Sequence, residues 1–322
     1  MPESSDKTPS IIPNNWERAM LEKVAMASIL EQRAARRWKT TMRMAWLAFF
    51  VGLAWLMFHR ATPQSTVSIE PHTAVVEISG AISDGNDSDA QTVIANAKTA
   101  FENNNSKAVV LLINSPGGSP VQSGIINDEL LRMKAKYKKP LYAVVGDSCA
   151  SGAYYVAVAA DQIFVDKASM VGSIGVLMDG FGFTGTMEKL GIERRLLTSG
   201  DNKGMLDPFS PLSPEHKAHA QTMLAQIHQQ FIDVVRKNRS DRLKENPDTF
   251  SGMVWTGQQA IQMGLADQLG SINSVARDVV KQEKIVDYTK RENVAEKLVK
   301  KFGVSVGVGM VQAAKSQSGS MQ

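Results

Sequence analysis

The sequence predicts an α/β fold built on a parallel sheet, and three observations carry that expectation. Five short runs read as strands: TAVVEIS (73–79), AVVLLIN (108–114), LYAVVGD (141–147), QIFVD (162–166) and ERRLLTS (193–199). Most are apolar at consecutive positions, as strands covered on both faces are. Between the first three lie amphipathic stretches near 88–103 and 121–137, so the order β-α-β-α-β makes each helix a crossover between parallel strands. A chain of 322 residues, 43% hydrophobic and 21% charged with 24 glycines, suits one sizeable, turn-rich core with appendages rather than a coiled coil or a disordered chain.

Ahead of the core, residues 1–39 form an N-terminal segment. Asn14 or Asn15 is placed there to cap a helix through WERAMLEKVAMASILEQRAARRWK, with Met20, Val24 and Leu30 partly on one face. Residues 44–58, MAWLAFFVGLAWLMF, are an uncharged apolar run, shorter than the roughly 18 to 20 residues that cross a bilayer. Extended back to residue 40, with the stem of Arg43 snorkelling toward headgroups, the run predicts one transmembrane anchor over 40–60. A buried core helix is the competing reading. Arg33, Arg36, Arg37, Lys39 and Arg43 precede the run, whereas Arg60 is followed by no Lys or Arg until Lys98. The positive-inside tendency then places the N-terminus in the cytoplasm and residues 61–322 outside it. A linker over 61–72 leads into a domain over 73–290. There a long helix from Pro214 to about Lys237 and helices near 256–264 and 272–283 complete the core, and residues 291–322 are expected to form a C-terminal helix and mobile tail.

The net charge of +4 sits wholly before residue 61, where 9 Lys/Arg face 5 Asp/Glu, leaving 27 against 27 beyond. A nucleic-acid partner requires a basic face on the folded domain, so that class is set aside. The single cysteine, Cys149, allows no internal disulfide, no Cys/His spacing matches a zinc site, and neither metal nor other cofactor is expected.

Two segments carry candidate chemistry. In NSPGGSP (114–120), Pro116 fixes one turn dihedral and Gly117 and Gly118 permit positive φ, so the turn either aims an N–H at a ligand carbonyl or merely connects strand to helix. No phosphate-loop Lys-Ser/Thr pair follows it. In GDSCASGAYYVAVAA (146–160) a buried strand turns into a helix of small residues at Ser151. Unsatisfied N–H groups at a helix start favour a developing oxyanion, and small neighbours admit a substrate. Helix capping is the competing role for Ser151. Cys149 reads as a small buried residue, and it and Ala153 occupy the glycine positions of the G-x-S-x-G elbow.

A nucleophilic serine needs a base. His59 abuts the apolar run, His72 lies in the linker, and His216, His219 and His228 fall on the long polar helix, where a solvated face is expected and the H-E-x-x-H spacing is missing. Lysine is the remaining base type. Lowering its pKa from about 10.4 to near 7.5 takes roughly 4 kcal/mol, which requires burial beside the serine. Lys203 in SGDNKGMLDPFSP and Lys167 are the candidates, and spacing does not choose between them.

Taken together and in order, NSPGG, ASGAYY, VGSIGV and SGDNKGMLDPFSP resemble the signal peptide peptidase A family of membrane serine proteases, with FSGMVWTGQQAIQMGLADQLG (250–270) similar to its closing segment. The similarity covers about residues 73–280 in a single unit. The resemblance implies a Clp protease/crotonase-like spiral of β-β-α units and a serine endopeptidase of the bacterial inner membrane that disposes of remnant signal peptides. Carried over residue by residue, it implies Ser151 as nucleophile and Lys203 as general base, with Gly118 and the Ser151 N–H as oxyanion hole and Ser173 orienting the lysine. It further implies a homo-oligomeric ring whose sites are shared between subunits. Ala153 departs from the glycine frequent in the family. General envelope quality control, a crotonase-like acyl-CoA enzyme and a non-catalytic membrane scaffold are the rival readings.

Overall fold

The computed structural model describes residues 15–60 and 70–290. Residues 1–14, most of the linker expected at 61–72 and the C-terminal helix and tail expected at 291–322 lie outside the described residues. Two compact units result, with the first helix in one and residues 65–292 forming the other.

The first helix, α1 (Asn15–Arg60), runs unbroken for 46 residues and absorbs both the N-terminal segment and the expected anchor. Among the described residues no helix is long and apolar enough to cross a membrane, so the span expected at 40–60 is corrected. The uncharged run of 15 residues rises only about 22 Å as a helix against about 30 Å of hydrocarbon, and extending it draws in Arg43 and then Lys39.

The second unit is a parallel-rich sheet with crossover helices. In chain order its elements are β1 (His72–Ser79), α2 (Ala90–Glu102), β2 (Ser106–Ser115), α3 (Pro120–Tyr137), β3 (Leu141–Ala150), α4 (Gly152–Ala157), β4 (Gln162–Val165) and β5 (Met170–Gly172). There follow α5 (Thr184–Lys189), α6 (Pro214–Arg239), β6 (Val254–Thr256), α7 (Gly257–Gln262), β7 (Gln268–Leu269), α8 (Ile272–Ser274) and β8 (Ile285–Asp287). The strand order is β6-β5-β3-β2-β1-β8, with β4 paired to β3 and β7, and only β5–β6 is antiparallel. The consecutive apolar residues of β1, β2 and β3 are explained by burial on both sides. Val76, Leu111 and Ala143 join Val93, Phe101, Ile126 and Met133 of α2 and α3 in the main core. Val75, Val110 and Val144 point the other way and pack with Phe164 and Val275. Asp89, Ser119, Ser213 and Thr256 cap the helices that follow them, each accepting a backbone N–H.

The run ERRLLTS, expected as a strand at 193–199, has none of this support. It has no strand neighbour among the described residues and leaves Leu196 and Leu197 exposed, so its apolar residues have no second layer to cover them. A buried ion pair holds the far end of α6. Arg239, only 1% exposed, donates from Nη1 and Nη2 to the two Asp267 oxygens at 2.8 and 2.9 Å and from Nε to the Gly264 carbonyl at 2.7 Å. Asp267 also accepts the Ile163 N–H at 2.7 Å, which ties α6 to β4. Burial pushes the Asp267 carboxyl up, but the hydrogen bonds and charge of Arg239, the Ile163 N–H and the charge of Arg242 outweigh it and hold the group below its ordinary value. A depressed carboxylate stabilises the fold above its unfolded pKa, and that contribution is lost as pH falls through the folded value. Arg239→Met, which leaves Asp267 with less compensation, is expected to cost roughly 3 kcal/mol in urea unfolding at neutral pH, and less at pH values that protonate Asp267.

Candidate active site

Ser151 is the one residue between the end of β3 and the start of α4. Its backbone sits at φ 52 and ψ −124, a region that a side-chain-bearing residue enters only under strain of about 1–3 kcal/mol. The strain is imposed from both sides. Cys149 and Ala150 pair in register with Val171 and Gly172 of β5, and the Ser151 N–H donates to the Gly172 carbonyl at 2.8 Å. Its hydroxyl makes no capping bond to α4, so the capping role is ruled out and the side chain lines an open cleft.

The turn NSPGG lies directly against this residue. The Ser115 hydroxyl accepts the Gly117 N–H at 3.1 Å, shaping the turn. Gly117 has φ 98, and a Cβ there would come within 2.7 Å of Gly152 N and 2.8 Å of Ser151 Cβ, so only glycine lets the two loops meet. The Gly118 nitrogen lies 3.2 Å from where a Gly152 Cβ would project, which places the N–H-bearing backbone of both residues side by side. As the first residue of α4, Gly152 has no intrahelical acceptor. The Ser151 N–H, expected beside Gly118 in the oxyanion hole, is engaged by the Gly172 carbonyl.

Behind Gly152 sits Ser123 of α3, fully buried, with its hydroxyl lacking a hydrogen-bond partner among the described residues. Space permits a serine here but not a side chain at 152, since a methyl on Gly152 would collide with the Ser123 oxygen. Ser123→Ala removes an unsatisfied buried hydroxyl, so it is expected to leave stability unchanged or raise it by about 1 kcal/mol in denaturant titration, with peptide cleavage retained.

The cleft at Ser151 encloses about 330 Å³, and its walls include Ser173, Tyr155, Val176, Ile227 and Phe231. Tyr155 and Phe231 lie with ring centroids 5.0 Å apart, giving the cleft an apolar floor suited to an aliphatic or aromatic side chain. Ser173, expected in the site, is there at φ 50, its N–H donating to the Met253 carbonyl at 2.7 Å. The walls contributed by Tyr155, Ile227 and Phe231 were not singled out from sequence. Their only signal is apolar spacing on helices, which reads equally well as core.

Lys203 is not among the residues that line the Ser151 cleft. It is exposed on a turn over 201–206. His216 near the start of α6 donates or accepts at 2.9 Å with Asn202 beside it, while His228 farther along α6 reaches the Ile174 carbonyl next to Ser173 at 3.1 Å. About 18 Å of helix separates those two tethers, more than a lysine side chain spans. The loop between the cleft and α6 leaves Leu177, Phe181 and Leu197 at 80%, 78% and 97% exposure. Lys167 is exposed at the β4–β5 turn and lines a different depression with Gly146 and Asp147. Cys149 is fully buried, and burial pushes its thiol well up, away from the reactive thiolate form. His72 is also buried, bonded to Tyr288 Oη at 2.9 Å, not part of an open linker. Among the described residues no cluster of His, Cys, Asp or Glu could hold a metal ion.

The profile of peptidase family S49 matches residues 133–286. A protein of Synechocystis sp. provisionally named a protease is 30% identical over 198 residues, covering 62% of this chain and 69% of that one. A protein of Enterococcus faecium, provisionally named signal peptide peptidase SppA, is 32% identical over 199 residues, covering 62% and 58% respectively. The Na(+)/H(+) antiporter NhaA of Brucella melitensis is 40% identical over 227 residues, 69% of this chain but only 31% of that protein. The chain thus spans about a third of the Brucella relative's length, and the antiport named there belongs to that protein.

Proposed function

The chain belongs to peptidase family S49 and is a serine peptidase of the SppA kind, and on that premise we propose that it is an endopeptidase with Ser151 as nucleophile and Lys203 of a neighbouring copy as general base. The observation that carries the reading is Ser151 itself: strained, uncapped, open to an apolar cleft and flanked by the Gly118 and Gly152 amides. Neutral Lys203 Nζ takes the Ser151 proton as Oγ bonds to the substrate carbonyl carbon, and the oxyanion accepts hydrogen bonds from the Gly118 and Gly152 N–H groups. The lysine ammonium returns its proton to the leaving amine as the C–N bond breaks. Water, deprotonated by the same lysine, then attacks the acyl-enzyme and frees Ser151. Ser173 at the cleft wall orients the lysine amine.

A dyad shared between subunits of a ring is supported by the exposure of Lys203, by the length of helix between its loop and the cleft, and by the exposed apolar residues beside it. Docking a second copy there would supply the burial a neutral lysine needs. For substrate we favour remnant signal peptides, whose apolar cores suit the Tyr155–Phe231 floor, over general turnover of envelope proteins. Association with the bacterial inner membrane is supported by the apolar run 44–58 beside its basic cluster. The test is incubation of the full chain with synthetic signal peptides and with a folded globular protein. Internal cleavage of the peptides alone is expected, and peptides that remain intact would contradict the proposal.

A further inference from the structure

His228 lies on α6, half-buried, and its imidazole faces a backbone carbonyl instead of solvent. The acceptor is the Ile174 oxygen, 3.1 Å from Nε2, so Nε2 carries the proton in this contact. Ile174 belongs to a short segment with unusual backbone: Gly172 at φ 113 and Ser173 at φ 50 follow one another, a pair of positive values that a chain adopts only when held. Three tethers hold it. The Gly172 carbonyl accepts the Ser151 N–H at 2.8 Å, the Ser173 N–H donates to Met253 O at 2.7 Å, and the Ile174 carbonyl accepts from His228. The first reaches the nucleophile, the second reaches the segment just before β6, and the third reaches the helix that forms the opposite wall of the cleft through Ile227 and Phe231.

The geometry points to His228 as a positioning residue for the peptidase reaction, its hydrogen bond to Ile174 fixing the gap between α6 and the 172–176 wall and so the width of the pocket that receives the substrate side chain next to the scissile bond. This rests on Ser151 as the nucleophile. His228 touches neither Ser151 nor the carbonyl under attack; it acts through the wall. Loss of its donor leaves the Ile174 oxygen buried without that partner and frees the strained turn to relax, whereas the Ser151 N–H contact and the Gly118 and Gly152 amides lie on other tethers. Substrate binding therefore suffers before bond-making does.

The test uses the full chain with His228→Ala, His228→Gln and, as a control, His219→Ala on the exposed side of the same helix. Peptide cleavage is followed to separate KM from kcat, and a small fluorophosphonate that needs no pocket reports Ser151 reactivity. His228→Ala is expected to raise KM about tenfold, the loss of one hydrogen bond, with kcat changed less than about threefold and labelling of Ser151 retained. Glutamine, whose Nε2 reaches a similar distance, is expected to restore KM to within about threefold of wild type, with His219→Ala unchanged. An unaltered KM in His228→Ala, or a KM that glutamine does not restore, would overturn the inference while leaving the nucleophile in place. Equal losses of kcat, KM and labelling would also overturn it, reducing His228 to a general stabiliser. Absence of labelling at Ser151 in the wild type would remove the nucleophile and this inference with it.

Discussion

Ser151→Ala is expected to lower kcat by about 10⁴-fold or more while leaving the fold intact, because covalent catalysis and the proton transfer to Lys203 both end with the hydroxyl. Stability distinguishes this site from an ordinary serine. Alanine keeps a Cβ at φ 52 and so keeps the strain, but Ser151→Gly removes it and is expected to stabilise the protein by about 1 kcal/mol in urea titration while abolishing cleavage. A capping serine would show the reverse, since losing the cap costs stability and spares turnover. The paired measurement of kcat and unfolding midpoint on these two variants therefore separates a nucleophile held under strain from a structural residue.

Lys203→Ala is expected to be as inactive as Ser151→Ala, and mixing the two inactive proteins under conditions that allow subunit exchange is expected to restore activity. In a head-to-tail ring each site takes its serine from one copy and its lysine from the next, so random mixing of equal amounts leaves about one site in four with both groups. Recovery near a quarter of wild-type activity is the predicted outcome. No recovery, with exchange demonstrated, would place serine and lysine in the same subunit and demand a rearrangement of the 176–213 loop toward the cleft. The exposure of Lys203 makes the first outcome the expectation, since an isolated chain leaves this lysine in water and away from the cleft lining.

Much of the frame was legible in the sequence for a plain physical reason. β1, β2 and β3 are buried on both faces, so their apolar runs are continuous, and α2, α3 and α6 between and after them carry recognisable caps and periodicity. Strands β5 to β8 have two or three residues each, too few for any periodicity, and they exist because neighbouring strands supply their hydrogen bonds. The opposite error at 193–199 has the same origin, since a short run around Leu196 and Leu197 resembles a strand but finds no sheet. At the site, Ser151 and Ser173 from two of the motifs line one cleft and the Gly117 turn lies against Ser151, yet spacing carries no information on which amide is already engaged. Only the 2.8 Å bond from the Ser151 N–H to the Gly172 carbonyl shows that this amide is engaged. Lys203 is exposed in one chain, and the burial a neutral lysine requires is not encoded in spacing along the sequence. The apolar run 44–58 read as an anchor, while α1 is too short in its apolar part to qualify.

The most direct test of the account is the site of covalent modification by a fluorophosphonate, mapped by mass spectrometry on the full chain. A single adduct on Ser151, lost in Ser151→Ala and retained in Ser123→Ala, is the predicted result. An adduct on Ser148, Ser173 or another serine, with Ser151 unmodified, would contradict it.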